Sequence, residues 1–315
     1  MEMEMGKDKK IFGGNALTYI VSLSAVILWG ASYIWSDSLI EKNIPIFYFV
    51  FVRIFIAGVA LFALNLLTRK LCRIEKKDIP WFLLLAFCEP FIYFLCETYG
   101  IKETGSPTIS AMAIATIPIF SIFAGLLFFR ERITPLNIFG ILLSLGGIVL
   151  VAMARGELGE NFILGLVFLL VAVISEVGHA SITKKLSGGY PSQVIVMYQF
   201  LIGSVYLLPL FLFKGLDGFS AEKYLSWEVW KPILCLALLC SSLAFSLWVG
   251  TIKKLGVAKS SIFSALIPVV SALIAGLIGQ EMLNPRQWMG VAICTVGVVL
   301  SQLNLKKKSG TEAAK

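Results

Sequence analysis

The chain has 315 residues, 58% of them hydrophobic and only 15% charged, with a mean hydropathy of +0.87. Soluble globular domains carry about 25% charged residues, so most of this surface does not meet water and the chain reads as an integral membrane protein. The formal charge of +8 is read as anchoring to an anionic membrane face, and no nucleic-acid partner is expected.

Cutting the chain at its charge and Gly/Pro clusters leaves ten apolar segments, each at or near the ~20 residues that a helix needs to cross hydrocarbon. The first, 16–36, follows the tail MEMEMGKDKK without a small-residue cleavage site, so it reads as a retained helix and not a signal peptide. Segment 46–68 carries Arg53, and 79–99 carries Glu89, Tyr93 and Glu97. Segments 107–129 and 136–154 are separated by a short charged turn, and 163–183 holds Glu176 and His179, the one histidine of the chain. Segments 192–213, 231–250, 258–279 and 286–304 complete the set. The longest connection, Lys214 to Trp230, is expected to be an interfacial loop with Trp227 and Trp230 at headgroup level.

With the N-terminus inside, the inner segments hold 19 Lys and Arg and the outer ones 7, Arg53 lying within a span. That asymmetry places both termini in the cytoplasm, in a multi-pass protein of the plasma membrane. Five of the six cysteines fall in spans and Cys72 in an inner loop, with no metal-ligand spacing and no disulfide framework. Phosphate loops and nucleotide motifs are missing too, so no cofactor and no ATP-driven pumping are expected.

Residues 100–150 laid over 250–300 without a gap match at 13 of 51 positions, among them Pro118/Pro268, Glu131/Glu281, Pro135/Pro285, Gly140/Gly290 and Gly147/Gly297. Earlier, Pro45 to Arg53 repeats as Pro191 to Gln199. The expected organisation is a tail (1–15), a five-helix repeat (16–155), a second (156–304) and a basic tail (305–315). An odd number of helices per repeat inverts the second half in the membrane, the architecture of alternating access. Thr134 and Asn284 each precede a proline and are expected to cap the next helix. Pro118 and Pro268 are expected to kink helices 4 and 9.

Ten helices in two repeats, WGASYIWSDSLI with a later Arg53, and the blocks GLLFFRERITPLNIFGILLSLGGIVL and GLIGQEMLNPRQWMGVAICTVGVVL resemble the drug/metabolite transporter superfamily, EamA type. The resemblance covers nearly the whole chain and is most specific in the hairpin blocks. It implies an all-α secondary carrier of small metabolites, often an exporter of amino acids or related compounds, whose cavity is lined by helices other than 5 and 10. The chain departs from the pattern in CEPFIYFLCETYG, which puts two acids where such carriers have apolar or small residues.

Charged side chains at mid-bilayer carry a penalty of about 2.5–3.5 kcal/mol on insertion scales, so the intramembrane set Arg53, Glu89, Glu97, Glu176 and His179 needs explaining. Glu89, Tyr93 and Glu97, at i, i+4 and i+8, share a helical face, and Glu176 and His179 share another. Arg53 is expected to neutralise Glu89 or Glu97, either as a static pair or as part of a site. Glu97 is also readable as interfacial and His179 as structural. Glu131 and Glu281 are expected to organise their hairpin turns. Glu89 is the first candidate for a proton-coupling or amine-recognising carboxylate, with Glu176 contributing from the other half. Trp29, Tyr33, Tyr93, Tyr198, Gln199 and Trp248 are candidates to line the cavity, where aromatic faces attract cations.

The expected function is a secondary-active carrier, in the export direction, of small metabolites, with amino acids or amines favoured because the interior is net acidic, and with proton coupling open. A multidrug or quaternary-cation exporter is the alternative, and a channel or an intramembrane enzyme a remote one. A lone His and no G-x-S-x-G elbow leave hydrolytic chemistry without its parts. The expected partners are a small-molecule substrate, protons and lipid, with monomer and homodimer both open.

Overall fold

The computed structural model of the protein describes residues 2–120, 134–155, 161–218, 220–256, 260 and 263–302, of which 2–16, 221 and 302 by backbone alone. Along the chain run α1 (Glu2–Glu41), α2 (Ile46–Leu67), α3 (Lys76–Thr104), α4 (Pro107–Phe120), α5 (Pro135–Arg155), α6 (Phe162–Leu186), α7 (Ser192–Gly215), α8 (Trp227–Leu255), α9 (Ile267–Ile278) and α10 (Pro285–Gln302). Seven are long and apolar enough to span a bilayer, α4 and α9 are shorter apolar helices, and no strand occurs among the described residues. Their outward faces carry exposed Phe139, Leu142, Met153, Ile163 and Leu277, side chains that a lipid solvent leaves in place.

Helix starts follow from local chemistry. Thr134 Oγ1 accepts from Asn137 N at 3.2 Å while Asn137 Oδ1 accepts from Thr134 N at 2.8 Å. Asn284 Oδ1 likewise accepts from Gln287 N at 3.0 Å, and Gln287 Oε1 from Asn284 N at 2.8 Å. Each is a reciprocal capping box with proline at the first helical position, and the two stand at matching places in α5 and α10.

These two helices pack on each other more extensively than any other pair. Small residues make it so: a Cβ on Gly147 would come within 2.5 Å of Cys294 N, and one on Gly290 within 2.6 Å of Val151 Cγ2. Without a hydrophobic drive between helices in lipid, such close backbone approach supplies the attraction. Elsewhere α3 packs on α6, α2 on α7 and α1 on α8 and α9.

Four helices are interrupted in matched or proline-directed places. In α4 the break is at Ala115–Thr116, ahead of Pro118, and the helical turn leading into α9 breaks off at Ala265–Leu266, ahead of Pro268. In α3 a wide turn spans Phe87–Ile92, and in α8 another spans Cys235–Ala244. The connection between α7 and α8 departs from the expected loop. It contains a helical turn, Ala221–Tyr224, whose Tyr224 is buried and donates to Asp217 O at 3.1 Å. Trp227 and Trp230 belong to α8 itself, because Ser226 in extended conformation starts that helix early.

Gly147→Val should therefore separate α5 from α10 and destabilise the fold by about 1–3 kcal/mol or more. Gly146→Val, where an added Cβ meets nothing within 4 Å, should leave thermal unfolding in detergent unchanged. Equal unfolding midpoints for the two variants would show that the contact does not hold the pair together.

Candidate functional site

One cavity lies between the halves, and its wall includes Trp29, Tyr33, Glu89, Tyr93, Glu176 and Trp248, joined by Arg53 and Glu97. Its volume is about 50 Å³, room for a few water molecules at ~10–15 Å³ each. The helices α5 and α10 contribute no wall residue among those described.

The cavity owes its shape to α3. Pro90 has no N–H and its ring collides with the carbonyl four residues earlier, and Glu89 adopts extended angles (φ −143°, ψ 123°) instead of helical ones. Two neighbours accommodate the break. Ser175 Oγ donates to Cys88 O at 2.8 Å, and the Pro90 ring lies against Gly203 of α7, where a Cβ would not fit.

The break corrects the expected polar stripe. Glu89 leaves the helical face and meets α6, where its Oε2 lies 2.9 Å from His179 Nδ1. Glu176 Oε2 lies 2.8 Å from the same nitrogen. The shorter contact, to Glu176, is the hydrogen bond, and Glu89 Oε2 is buried without one. On the far side of the ring, His179 Nε2 is 3.3 Å from Thr183 Oγ1.

Beyond the break the helical spacing holds, and Tyr93 Oη donates to Glu97 Oε1 at 2.9 Å. Tyr33 faces the same carboxylate. Glu97 is 6% exposed, so it is buried within the protein and not open to solvent.

Arg53 makes no ion pair among the described residues, contrary to the expected neutralisation of a glutamate. Its Nε donates to Ser241 Oγ at 2.8 Å, and its guanidinium carbon sits 4.1 Å over the Phe94 ring. The Glu97 carboxylate feels its charge only at longer range. Satisfaction by a hydroxyl and a π face lets the guanidinium keep its charge for the cavity.

Trp29 and Trp248 meet edge to face at 5.0 Å, and Trp29 also meets Phe245 at 5.1 Å. The Trp29 indole donates to Cys240 O at 3.3 Å. Tyr198 and Gln199, by contrast, are not on the wall. Tyr198 donates to Cys72 O at 3.1 Å, tying α7 to the α2–α3 loop, and Gln199 is fully buried in the core.

Glu281 does more than shape its own hairpin turn. It accepts from Ser106 Oγ and Thr108 Oγ1, both at 2.6 Å, from Thr108 N at 3.2 Å, and from Arg155. The second half thereby caps α4 and binds the end of α5 in the first half. Beside it, Gln280 Nε2 donates to Asp37 Oδ2 at 2.6 Å. Sequence reasoning missed Asp37 because the first span was ended at residue 36. Glu131, the repeat partner of Glu281, lies outside the described residues.

The profile of the EamA-like transporter family matches the chain twice, over residues 16–153 and 163–303. The chain is 27% identical to the uncharacterized transporter YetK of Bacillus subtilis, over 94% of this chain and 90% of that one. It is 28% identical to a probable terminal-alkyne amino-acid exporter of Streptantibioticus cattleyicolor, over 72% of this chain and 74% of the relative. An uncharacterized transporter of Archaeoglobus fulgidus is 22% identical over 91% and 98%. One crystal structure of a protein superposes with a TM-score of 0.68 at 16% identity, covering 90% of this chain and 96% of that one, a likeness of fold alone.

Replacing Glu281 with Ala removes the acceptor for three donors of α4 and for Arg155. Hydrogen bonds to charged groups are worth about 1.5–3 kcal/mol each and do not sum, so unfolding in detergent should shift by that order. Glu281→Asp, one methylene shorter, should recover part of the loss. An unchanged midpoint in Glu281→Ala would mean that water replaces the carboxylate at no loss.

Proposed function

Because the chain belongs to the EamA-like transporter family, we propose that this multi-pass membrane transporter exports amino acids or related amines by alternating access, with protons moving in exchange. The observation that carries the reading is the acid cluster on the cavity wall, where Glu89 and Glu176 converge on a single imidazole. Even a doubly protonated His179 offsets one of two carboxylates. In a site away from bulk water the second negative charge calls for a proton or an ammonium, and the exchange of one for the other couples their movements.

Arg53 supports the choice of an amino acid over a simple amine. Its guanidinium borders the same cavity without an ion pair among the described residues, and is suited to a cargo carboxylate. The name of the Streptantibioticus relative agrees with this cargo class. The aromatic wall of Trp29, Trp248 and Phe245 favours a second reading, a quaternary-cation exporter, because such faces attract cations that cannot donate hydrogen bonds.

The matched helix breaks, the matched capping boxes and the twofold match of the family profile support two inverted repeats, 16–155 and 156–304. The Glu281 contacts then act as a latch that shuts the side of the membrane where α4 begins. The Lys and Arg asymmetry supports a plasma-membrane location with both termini cytoplasmic.

The test uses proteoliposomes enclosing a pH-sensitive dye and a panel of amino acids, amines and quaternary cations. Amino acids or amines should drive proton flux, and Glu89→Gln should lower it by about tenfold or more at unchanged thermal stability. Flux with quaternary cations alone selects the second reading. Native-like coupled flux in Glu89→Gln would remove the acid cluster from the mechanism.

A further inference from the structure

The Glu89–Glu176–His179 cluster has the form of a metal site as well as a proton site. We propose that these three residues bind a divalent first-row transition metal, of the zinc or manganese class, at a position that opens on the cavity.

The donor atoms are already gathered. Glu89 Oε2 and Glu176 Oε2 lie 2.9 Å and 2.8 Å from His179 Nδ1, and all three lie within 4.8 Å of one another. Metal–ligand bonds of about 2.0–2.2 Å at tetrahedral or octahedral angles set donors roughly 3.0–3.4 Å apart. The two nitrogen–oxygen distances reach that spacing by opening a few tenths of an ångström.

Their origin in the fold is also that of a metal site. Glu176 and His179 form a Glu-x-x-His pair, three residues apart on one face of α6, and Glu89 comes from a different helix. Helix bundles build carboxylate-bridged metal centres from this combination, a Glu on one helix and Glu-x-x-His on another, directed inward. Ser175 holds the broken backbone of α3 to α6 through Cys88 O, so the third donor is fixed by the same helix that supplies the other two.

The imidazole is oriented from behind. His179 Nε2 lies 3.3 Å from Thr183 Oγ1, so in the tautomer whose Nε2–H donates to that hydroxyl the ring would present an Nδ1 lone pair to the two carboxylates, a metal taking the place of the Nδ1 proton. This is how the outer hydrogen bond of a ligating histidine fixes its tautomer. Three electron-rich atoms then face one another, and Glu89 Oε2, 2% exposed as a residue, has no hydrogen-bond partner. Two carboxylates and a neutral imidazole carry two negative charges, which a divalent cation balances.

The donor set selects the metal. An imidazole with two carboxylates suits zinc, manganese or iron, whereas magnesium and calcium take oxygen alone. Glu89 and Glu176 both border the cavity while His179 is enclosed behind them. The remaining coordination positions therefore face the space where water or a cargo molecule would supply the donor.

A metal bound here takes the place of the proton or ammonium that the proposed function assigns to the same cluster, and the test reads metal binding itself, apart from any transported cargo. The full chain, purified in detergent, is titrated with zinc chloride, manganese chloride and magnesium chloride by calorimetry and thermal unfolding. Zinc should bind at one equivalent and raise the unfolding temperature, and magnesium should do neither. Glu89→Gln, Glu176→Gln and His179→Asn should each weaken zinc by about tenfold or more, and Thr183→Val by about tenfold through the tautomer alone.

Because His179 is the only histidine, protein carrying isotopically labelled histidine reports the site without mutation. Zinc should shift the Nδ1 resonance and leave Nε2 protonated. A titration that leaves the imidazole unchanged overturns the proposal. So does a thiolate charge-transfer band in the cobalt-loaded protein, which would assign the metal to cysteine.

Discussion

Inside hydrocarbon every backbone polar group has to be satisfied within the protein, and α3 meets that rule without regular helix geometry at the place where the cavity forms. Pro90 cannot donate, the turn widens over Phe87–Ile92, and the Cys88 carbonyl accepts from Tyr93 N of α3 and from Ser175 Oγ of α6. The second bond ties α6 to the break, where Glu176 and His179 meet Glu89. Without the break, Glu89 would point along the Tyr93–Glu97 face and the three donors would not meet. A helix defect is thus the cause of the acid cluster, and the charged groups follow from it.

The architecture divides labour between a rigid pair and a set of interrupted helices. The contact of α5 with α10 is held by backbone approach at Gly140, Gly147, Gly290 and Gly297, which tolerates no added side chain and leaves no room for a cavity. The interrupted helices α3, α4, α8 and α9 carry wide turns or breaks, where packing changes require fewer intact hydrogen bonds to be lost. Glu281 joins the two sets, standing at the start of the α10 hairpin while bonding the ends of α4 and α5.

Much of this was legible in the chain. Hydropathy and charge spacing gave the apolar segments, and Thr134–Pro135 and Asn284–Pro285 marked helix starts because an N-cap acts through three or four consecutive residues. Of the candidate wall residues, Trp29, Tyr33, Tyr93 and Trp248 do border the cavity. The contacts of Arg53 were not legible, since its partners Ser241 and Phe94 lie on other helices at arbitrary sequence distance. Helical periodicity also misplaced Glu89, because a period of 3.6 residues carries no information across a proline break. Tyr198 and Gln199 are expected on the wall as aromatic and polar groups within a span, yet α7 turns that stretch toward α2 and the Cys72 loop.

The failure of Arg53 to pair with a glutamate has a further consequence for the cavity. A buried ion pair between Arg53 and Glu89 would have cancelled both charges and left a neutral wall. The protein instead answers Arg53 with a hydroxyl and a phenyl face, Glu97 with Tyr93, and lets two carboxylates share one imidazole. Each group is solvated well enough to remain buried, but among the described residues Arg53 has no carboxylate partner and the two carboxylates have one imidazole between them. The cavity keeps a cationic group and an acid cluster apart on the same wall, and a space built that way is complementary to a molecule that carries both charges.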